Sequence, residues 1–295
     1  MYLNRTCRGL FVALLLLWLA VHSSFVRAGT VHARSMQSAA LKTEFRYTVY
    51  LPDGYESRQL RYPVLYLLHG HGGNETDWLV LGGLQTTMDR LIREGTVPPF
   101  IVVMPGGANT WWVNGAKDRA EDALIRELIP HADATYPTIA SRGGRMIAGL
   151  SAGGFGTVNA VLKFPEMFAA GAALSPAIYN PTPPAHSSTM QVAAFQKDGQ
   201  FDPLLWSRLN YTGSMDAYQA KTVVVPMYIH SGDHDSLFIA YHAAVFFQRL
   251  FEYQPRMVEL RIVDGDHEWP VWRDAIGDAI RYMTRFISPP QGHTP

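Results

Sequence analysis

The segment "MIAGLSAGGFG" (146–156) sets one serine, Ser151, between an apolar run and a run of small residues. Its centre, "GLSAG", has glycines two positions either side, at Gly149 and Gly153. A nucleophilic serine stands on a sharp strand-to-helix turn with its oxygen free above a sheet. In that turn, side chains two residues away would collide, so Gly149 and Gly153 are the residue types it demands. The pattern reads as a nucleophile elbow. A helix beginning at Ala152 would turn its N-terminal amides and dipole toward the serine.

A serine hydroxyl is a weak nucleophile and needs a base, and the base needs an orienting group. In folds built on this elbow the chain order is serine, acid, histidine. Beyond Ser151, "YIHSGDHDSLF" (228–238) offers Asp233 and Asp235, and "RIVDGDHEWPVW" (261–272) offers His267. Both stretches follow apolar β-type runs, so both come to the carboxyl edge of a sheet, where Ser151 would sit. His267 is the expected base, ahead of His230 and His234, which lie next to the acids. Asp235 is preferred as the acid with Asp233 as the alternative, and Asp264 and Asp266 read as loop residues.

Acyl transfer also needs amide donors aimed at a developing oxyanion. "LLHGHGG" (67–73) ends another apolar run in glycines that let backbone approach. The amides of His71 and Ala152 are the candidate donors, and the His71 side chain is given no catalytic role. The histidines and acids of these loops could in principle hold a metal. However, no H-E-x-x-H occurs, and a metal reading leaves the elbow unexplained. No metal or cofactor is therefore expected. Trp78, Trp111, Trp112 and Trp269, with Trp206 and Trp272, fall near the same loops. Some of them are expected to line an acyl or sugar pocket. Asn74 and Asn210 match glycosylation acceptors and are read as chance matches.

These residues need a scaffold. "FRYTVYLPDGY", "YPVLYLLHG", "FIVVMPGG", "RMIAGL", "FAAGAALSPA", "VVVPMYIHSGD" and "VELRIVDG" read as strands. Between them lie helical stretches such as "LQTTMDRLIREG", "AEDALIRELIPHADATYP" and "LFIAYHAAVFFQRLFEY". The alternation predicts an α/β fold with a mostly parallel central sheet covered on both faces. Residues 179–221 break the rhythm and are too long for an ordinary connection. They are expected to be an insertion that acts as a cap beside the site.

The 295 residues carry 25 basic and 25 acidic side chains and no basic run, which sets nucleic acid aside as a partner. Hydrophobic residues make up 47%, enough for a large core. Arg5 and Arg8 precede "LFVALLLLWLAV", and "VRA" ends at Ala28. That is the pattern of a secretory signal peptide, with an apolar run too short to span a membrane. Cleavage after Ala28 would leave 22 basic and 25 acidic residues, net −3, and would remove the only cysteine, Cys7. The mature chain is then expected to be secreted or periplasmic, without disulfides and without stable membrane insertion.

"YTVYLPDGYESRQLRYPVLYLLHGHGGNETDW", "GLSAGGFG", "SGDHDSLF" and "DGDHEWPVW" together resemble the putative-esterase family of α/β hydrolases. Its relatives include feruloyl esterases, acetyl-xylan-type esterases, S-formylglutathione hydrolases and mycolyltransferases. The resemblance runs from about Phe45 to Ile287. It implies an α/β-hydrolase domain over 45–287, after a lead-in at 29–44 and before a tail at 288–295. It implies Ser151 as nucleophile, His267 as base, Asp235 as acid through the G-x-x-D spacing from Gly232, and the His71 amide as oxyanion donor. The expected activity is hydrolysis of carboxylic esters, with a small-molecule or polysaccharide-linked ester as substrate and short-chain or aromatic acyl groups. An acyltransferase using the same residues is the alternative.

Overall fold

The structure, a computed structural model, describes residues 28–56, 59–107, 109–115 and 119–292. The expected signal peptide lies outside the described residues except for its last residue, Ala28. Eight strands form one sheet: β1 (Thr30–Ser38), β2 (Thr43–Leu51), β3 (Val64–Leu68), β4 (Ile101–Pro105), β5 (Arg145–Leu150), β6 (Ala170–Leu174), β7 (Met227–Gly232) and β8 (Val258–Val263). Their order is β1-β2-β4-β3-β5-β6-β7-β8. The pairs β1–β2 and β2–β4 are antiparallel and the others parallel. This is the mostly parallel sheet of an α/β hydrolase. The expected lead-in is itself a sheet strand, β1, and in the expected tail Gln291–Gly292 pairs with Leu60–Arg61.

The strand sequences explain the layers. In β3 all five residues are buried, because both faces are covered. Val64, Tyr66 and Leu68 join one core while Leu65 and Leu67 join the other, as a period of two requires. Helices α1 (Leu84–Arg93) and α5 (Trp269–Thr284) close one face through Leu84, Met88, Ile276 and Ile280. On the other face lie α2 (120–135, π-helical over Ala123–Leu128), α3 (Ala152–Lys163) and α4 (Ile239–Tyr253).

Every residue of helix α3 from Ala152 to Leu162 is buried, the polar Thr157 and Asn159 included. A helix buried all round must be covered on all sides. The sheet covers one side, and residues 179–221 cover another. Within that segment Trp206 stacks on Phe155 of α3 with ring centroids 5.4 Å apart, and Phe195 meets both rings edge-on. Asn210 is buried and donates through Nδ2 to the Tyr179 carbonyl at 2.7 Å, so it is no glycan acceptor in the folded chain. Asn74 is exposed.

Candidate active site

Strand β5 ends at Leu150, and the next residue, Ser151, has φ 53° and ψ −115°. A non-glycine residue held there costs on the order of 1–3 kcal/mol, and such strain gathers at functional sites. The turn leaves no room for neighbouring side chains. A Cβ at Gly149 would lie 2.5 Å from the Gly153 carbonyl, and one at Gly153 would lie 2.5 Å from the His69 carbonyl oxygen. The first helical bond of α3 runs from the Phe155 N–H to the Ser151 carbonyl (2.9 Å). The amides of Ala152, Gly153 and Gly154 precede it and stay outside the helical ladder.

His267 and Asp235 come from the loops after β8 and β7. The Ser151 Oγ lies 2.9 Å from His267 Nε2, and His267 Nδ1 lies 2.7 Å from Asp235 Oδ2. The Asp235 side chain is fully buried, and its Oδ1 accepts the Leu237 N–H at 2.9 Å. A carboxylate accepts only, so Nδ1 carries the proton and Nε2 is free to take one from serine. Asp266 joins the two loops by accepting the N–H groups of His267 (2.7 Å) and Ser236 (3.2 Å). Those two bonds hold its carboxyl below the usual range. Trp272 meets the His267 ring edge-on at 4.9 Å and donates through Nε1 to Ser175 Oγ at 3.0 Å.

Asp233 does not join this line. It accepts the Gly265 N–H (3.2 Å) and pairs with His234, which also meets Asp264, in an exposed cluster. His230 is buried within β7 and stacks on Tyr228.

Beyond β3, Gly70 and His71 border, with Ser151, a cavity of about 470 Å³. Gly72 has φ +73°, which turns the loop, and the Gly73 N–H closes it on the Gly70 carbonyl at 3.2 Å. No protein acceptor takes the His71 N–H among the described residues. The His71 ring is held instead: its Nδ1 accepts the Trp111 Nε1–H at 3.0 Å. Desolvation pulls its pKa below the ordinary value, which keeps it a neutral acceptor.

His69 braces the same loop and was not singled out from the sequence. It is buried, its Nδ1 donates to the Gly70 carbonyl at 2.6 Å, and its Nε2 accepts the Gly107 N–H at 2.8 Å. Burial lowers its pKa, in keeping with a neutral ring that donates once and accepts once. A polar residue at the end of an apolar run must find such partners, and that was the available signal.

Of the six tryptophans near these loops, Trp111, Trp269 and Trp272 line the cavity. Trp78, Trp112 and the core residue Trp206 do not. Trp78 is buried with its Nε1 donating to the Leu68 carbonyl at 3.0 Å. Trp112 is buried between Gly107 and Gly156, with its Nε1 on the His69 carbonyl at 3.2 Å. Trp111 and Trp112 both have φ above +50° and both pack into the core, but only the Trp111 ring also reaches the cavity. Tyr179, Ser187 and Leu237 complete the apolar and hydroxyl wall, and Asp77 and Glu268 supply its carboxylates.

The sequence model of the family described as "Putative esterase" matches residues 38–283. An endo-1,4-beta-xylanase/feruloyl esterase of Xylanibacter ruminicola is 44% identical over 142 residues, which are 45% of this chain and 20% of that protein. An esterase of Mycobacterium tuberculosis is 35% identical over 147 residues, 47% of this chain and 30% of that protein. The matched stretch thus spans less than a third of either relative. A solved ferulic acid esterase is 26% identical with a TM-score of 0.77, over 88% of this chain and 99% of that one. The family match covers the elbow and both loops that meet it, and the chain belongs to the "Putative esterase" family of α/β hydrolases.

Proposed function

We propose that this chain is a serine carboxylesterase that works through an acyl-enzyme. The observation that carries the reading is His267 bridging Ser151 and Asp235 by 2.9 and 2.7 Å contacts. As Ser151 Oγ attacks the ester carbonyl, His267 Nε2 takes its proton and Asp235 steadies the imidazolium. The charge on the carbonyl oxygen falls to the His71 and Ala152 amides. His267 then returns the proton to the leaving alcohol, and water activated by the same ring releases the acid.

The cavity argues for the substrate class. Its wall carries Asp77 and Glu268 and, among the described residues, no Lys or Arg. Anionic substrates are disfavoured there, and neutral esters are accepted. Trp111, Trp269, Trp272, Tyr179 and Leu237 offer flat apolar surface for an aromatic or short acyl group. Feruloyl or acetyl esters on polysaccharide fit this wall, and the names of the relatives point the same way. Export directed by residues 1–28 would bring the enzyme to such a polymer.

The test is hydrolysis of p-nitrophenyl acetate, p-nitrophenyl butyrate and a methyl feruloyl ester, with Ser151→Ala alongside. Turnover that is lost in the variant supports the reading. Turnover kept in the variant overturns it. Among the described residues no helix is long and apolar enough to cross a membrane.

A further inference from the structure

Gly29 leads into β1 from a closed site that the proposed chemistry does not use. It is buried, its N–H donates to Asp89 Oδ1 at 2.9 Å, and its carbonyl accepts from Gln85 Nε2 at 2.8 Å. Both partners stand on α1. A Cβ at this position would fall 2.5 Å from Tyr50 ring carbons and 2.6 Å from the Leu51 carbonyl oxygen, so glycine alone fits. Ala28, one residue earlier, is exposed and borders a cleft of about 480 Å³.

Among the described residues Asp89 has no counter-ion. Its Oδ1 accepts the Gly29 N–H and the Tyr50 O–H (2.7 Å), and among the described residues no Lys, Arg or His pairs with it. Burial, and then Asp89 itself, push the Tyr50 phenol up, so it stays a neutral donor. A half-buried carboxylate with two neutral donors and no cation is poorly compensated.

We propose that hydrolysis of the Ala28–Gly29 bond during export turns the Gly29 nitrogen into the missing counter-ion of Asp89, so that the mature amino terminus ties β1 to α1. The inference rests on the export reading above. A signal peptidase adds one water across the amide. The water oxygen goes to the Ala28 carbonyl carbon, which leaves as a carboxylate, and the Gly29 nitrogen ends with three protons. Cleavage precedes docking, because Gly29 is buried once β1 is in place.

The ammonium then offers three donors and a unit charge where the precursor offers one neutral N–H. Charge-assisted bonds are roughly twice as strong as neutral ones. The groups that face the amine are Asp89 and Gln85 from α1 and Tyr50 from β2, with Asp53 beyond Tyr50. A neighbouring carboxylate raises the amine above its ordinary value of about 8. The stabilisation is therefore full below about pH 8 and is lost as pH rises through the raised value.

Amino-terminal sequencing of the exported protein is the first measurement. A start at Gly29-Thr30-Val31-His32 is expected. Export with a different start overturns the inference and leaves the export reading standing, whereas a chain that is not exported removes both. The second measurement compares the melting of a chain that begins with free Gly29 against one that keeps residues 24–28, from pH 6 to 10. The free-amine chain is expected to melt about 2–4 °C higher at pH 7. That gap should close at high pH and disappear when both chains carry Asp89→Asn. Equal melting at pH 7, or a gap that survives Asp89→Asn, overturns the proposal. If the variant does not fold, the pH dependence of the gap decides: a gap constant to pH 10 overturns it and a closing gap supports it.

Discussion

Asp235 Oδ2 stands 2.7 Å from His267 Nδ1, and the Asp235 side chain is fully buried in that contact. Asp233, two residues earlier on the same loop, is half exposed and turned to His234 and the Gly265 N–H. One loop thus presents two carboxylates to different partners, and only one of them reaches the histidine.

Asp235→Asn should lower kcat by roughly 10⁴, because an amide at this place favours the wrong imidazole tautomer. Asp233→Asn should leave kcat within a few-fold, since it loses only exposed contacts that are typically worth ~1 kcal/mol or less. Steady-state kinetics of both variants on one p-nitrophenyl ester checks this. A collapse in Asp233→Asn with Asp235→Asn intact would reverse the assignment.

Ser151→Ala should cost on the order of 10⁶ in kcat. It should also abolish covalent labelling by an organophosphonate, read by intact mass. Persistent labelling at another residue would show that the nucleophile lies elsewhere.

Trp111→Phe keeps a ring at the cavity wall but removes the N–H that holds His71 Nδ1. The loop bearing the His71 amide should loosen. A fall of roughly tenfold in kcat is expected, short of the 10²–10³ that follows loss of an oxyanion donor itself. KM should change little. An unchanged kcat would show that the loop is held sufficiently by His69 and Gly72.

His230 is buried in β7, and burial lowers its pKa to about 4. Its unfolded value is about 6.5, so between these values the unfolded chain binds more protons. Its contribution to stability is complete above about pH 6.5 and is lost as pH falls toward 4. His230→Phe keeps a ring against Tyr228 and should flatten the fall of Tm between pH 7 and 4. His69 and His242 are shifted in the same direction, so the slope should shrink without vanishing. A slope equal to that of the parent chain would refute this.

The elbow was legible in the sequence because its pattern is compact, from Gly149 to Gly153. Gly149 is required by the Gly153 backbone four residues on, whereas Gly153 is required by the Leu68 and His69 carbonyls at the end of β3, and the apolar runs fix which segments are buried strands. Strand–helix alternation was equally legible and gave the mostly parallel sheet. Placing Thr30–Ser38 in that sheet was not legible, since its polar, mostly exposed residues give no buried-strand signal.

Tertiary structure decided which neighbour of a pair meets which partner. Asp233 and Asp235 carry the same carboxylate two residues apart; the G-x-x-D spacing favoured Asp235, and the fold turns it toward His267 while the Leu237 N–H holds its other oxygen. Trp111 and Trp112 are identical side chains in sequence and both are buried in one core, yet only the Trp111 ring also borders the cavity. His69 became a brace because Gly107, 38 residues away, brings its N–H to the ring. A linear pattern records residue types and spacing, whereas these choices depend on backbone dihedrals and on contacts between segments far apart in the chain.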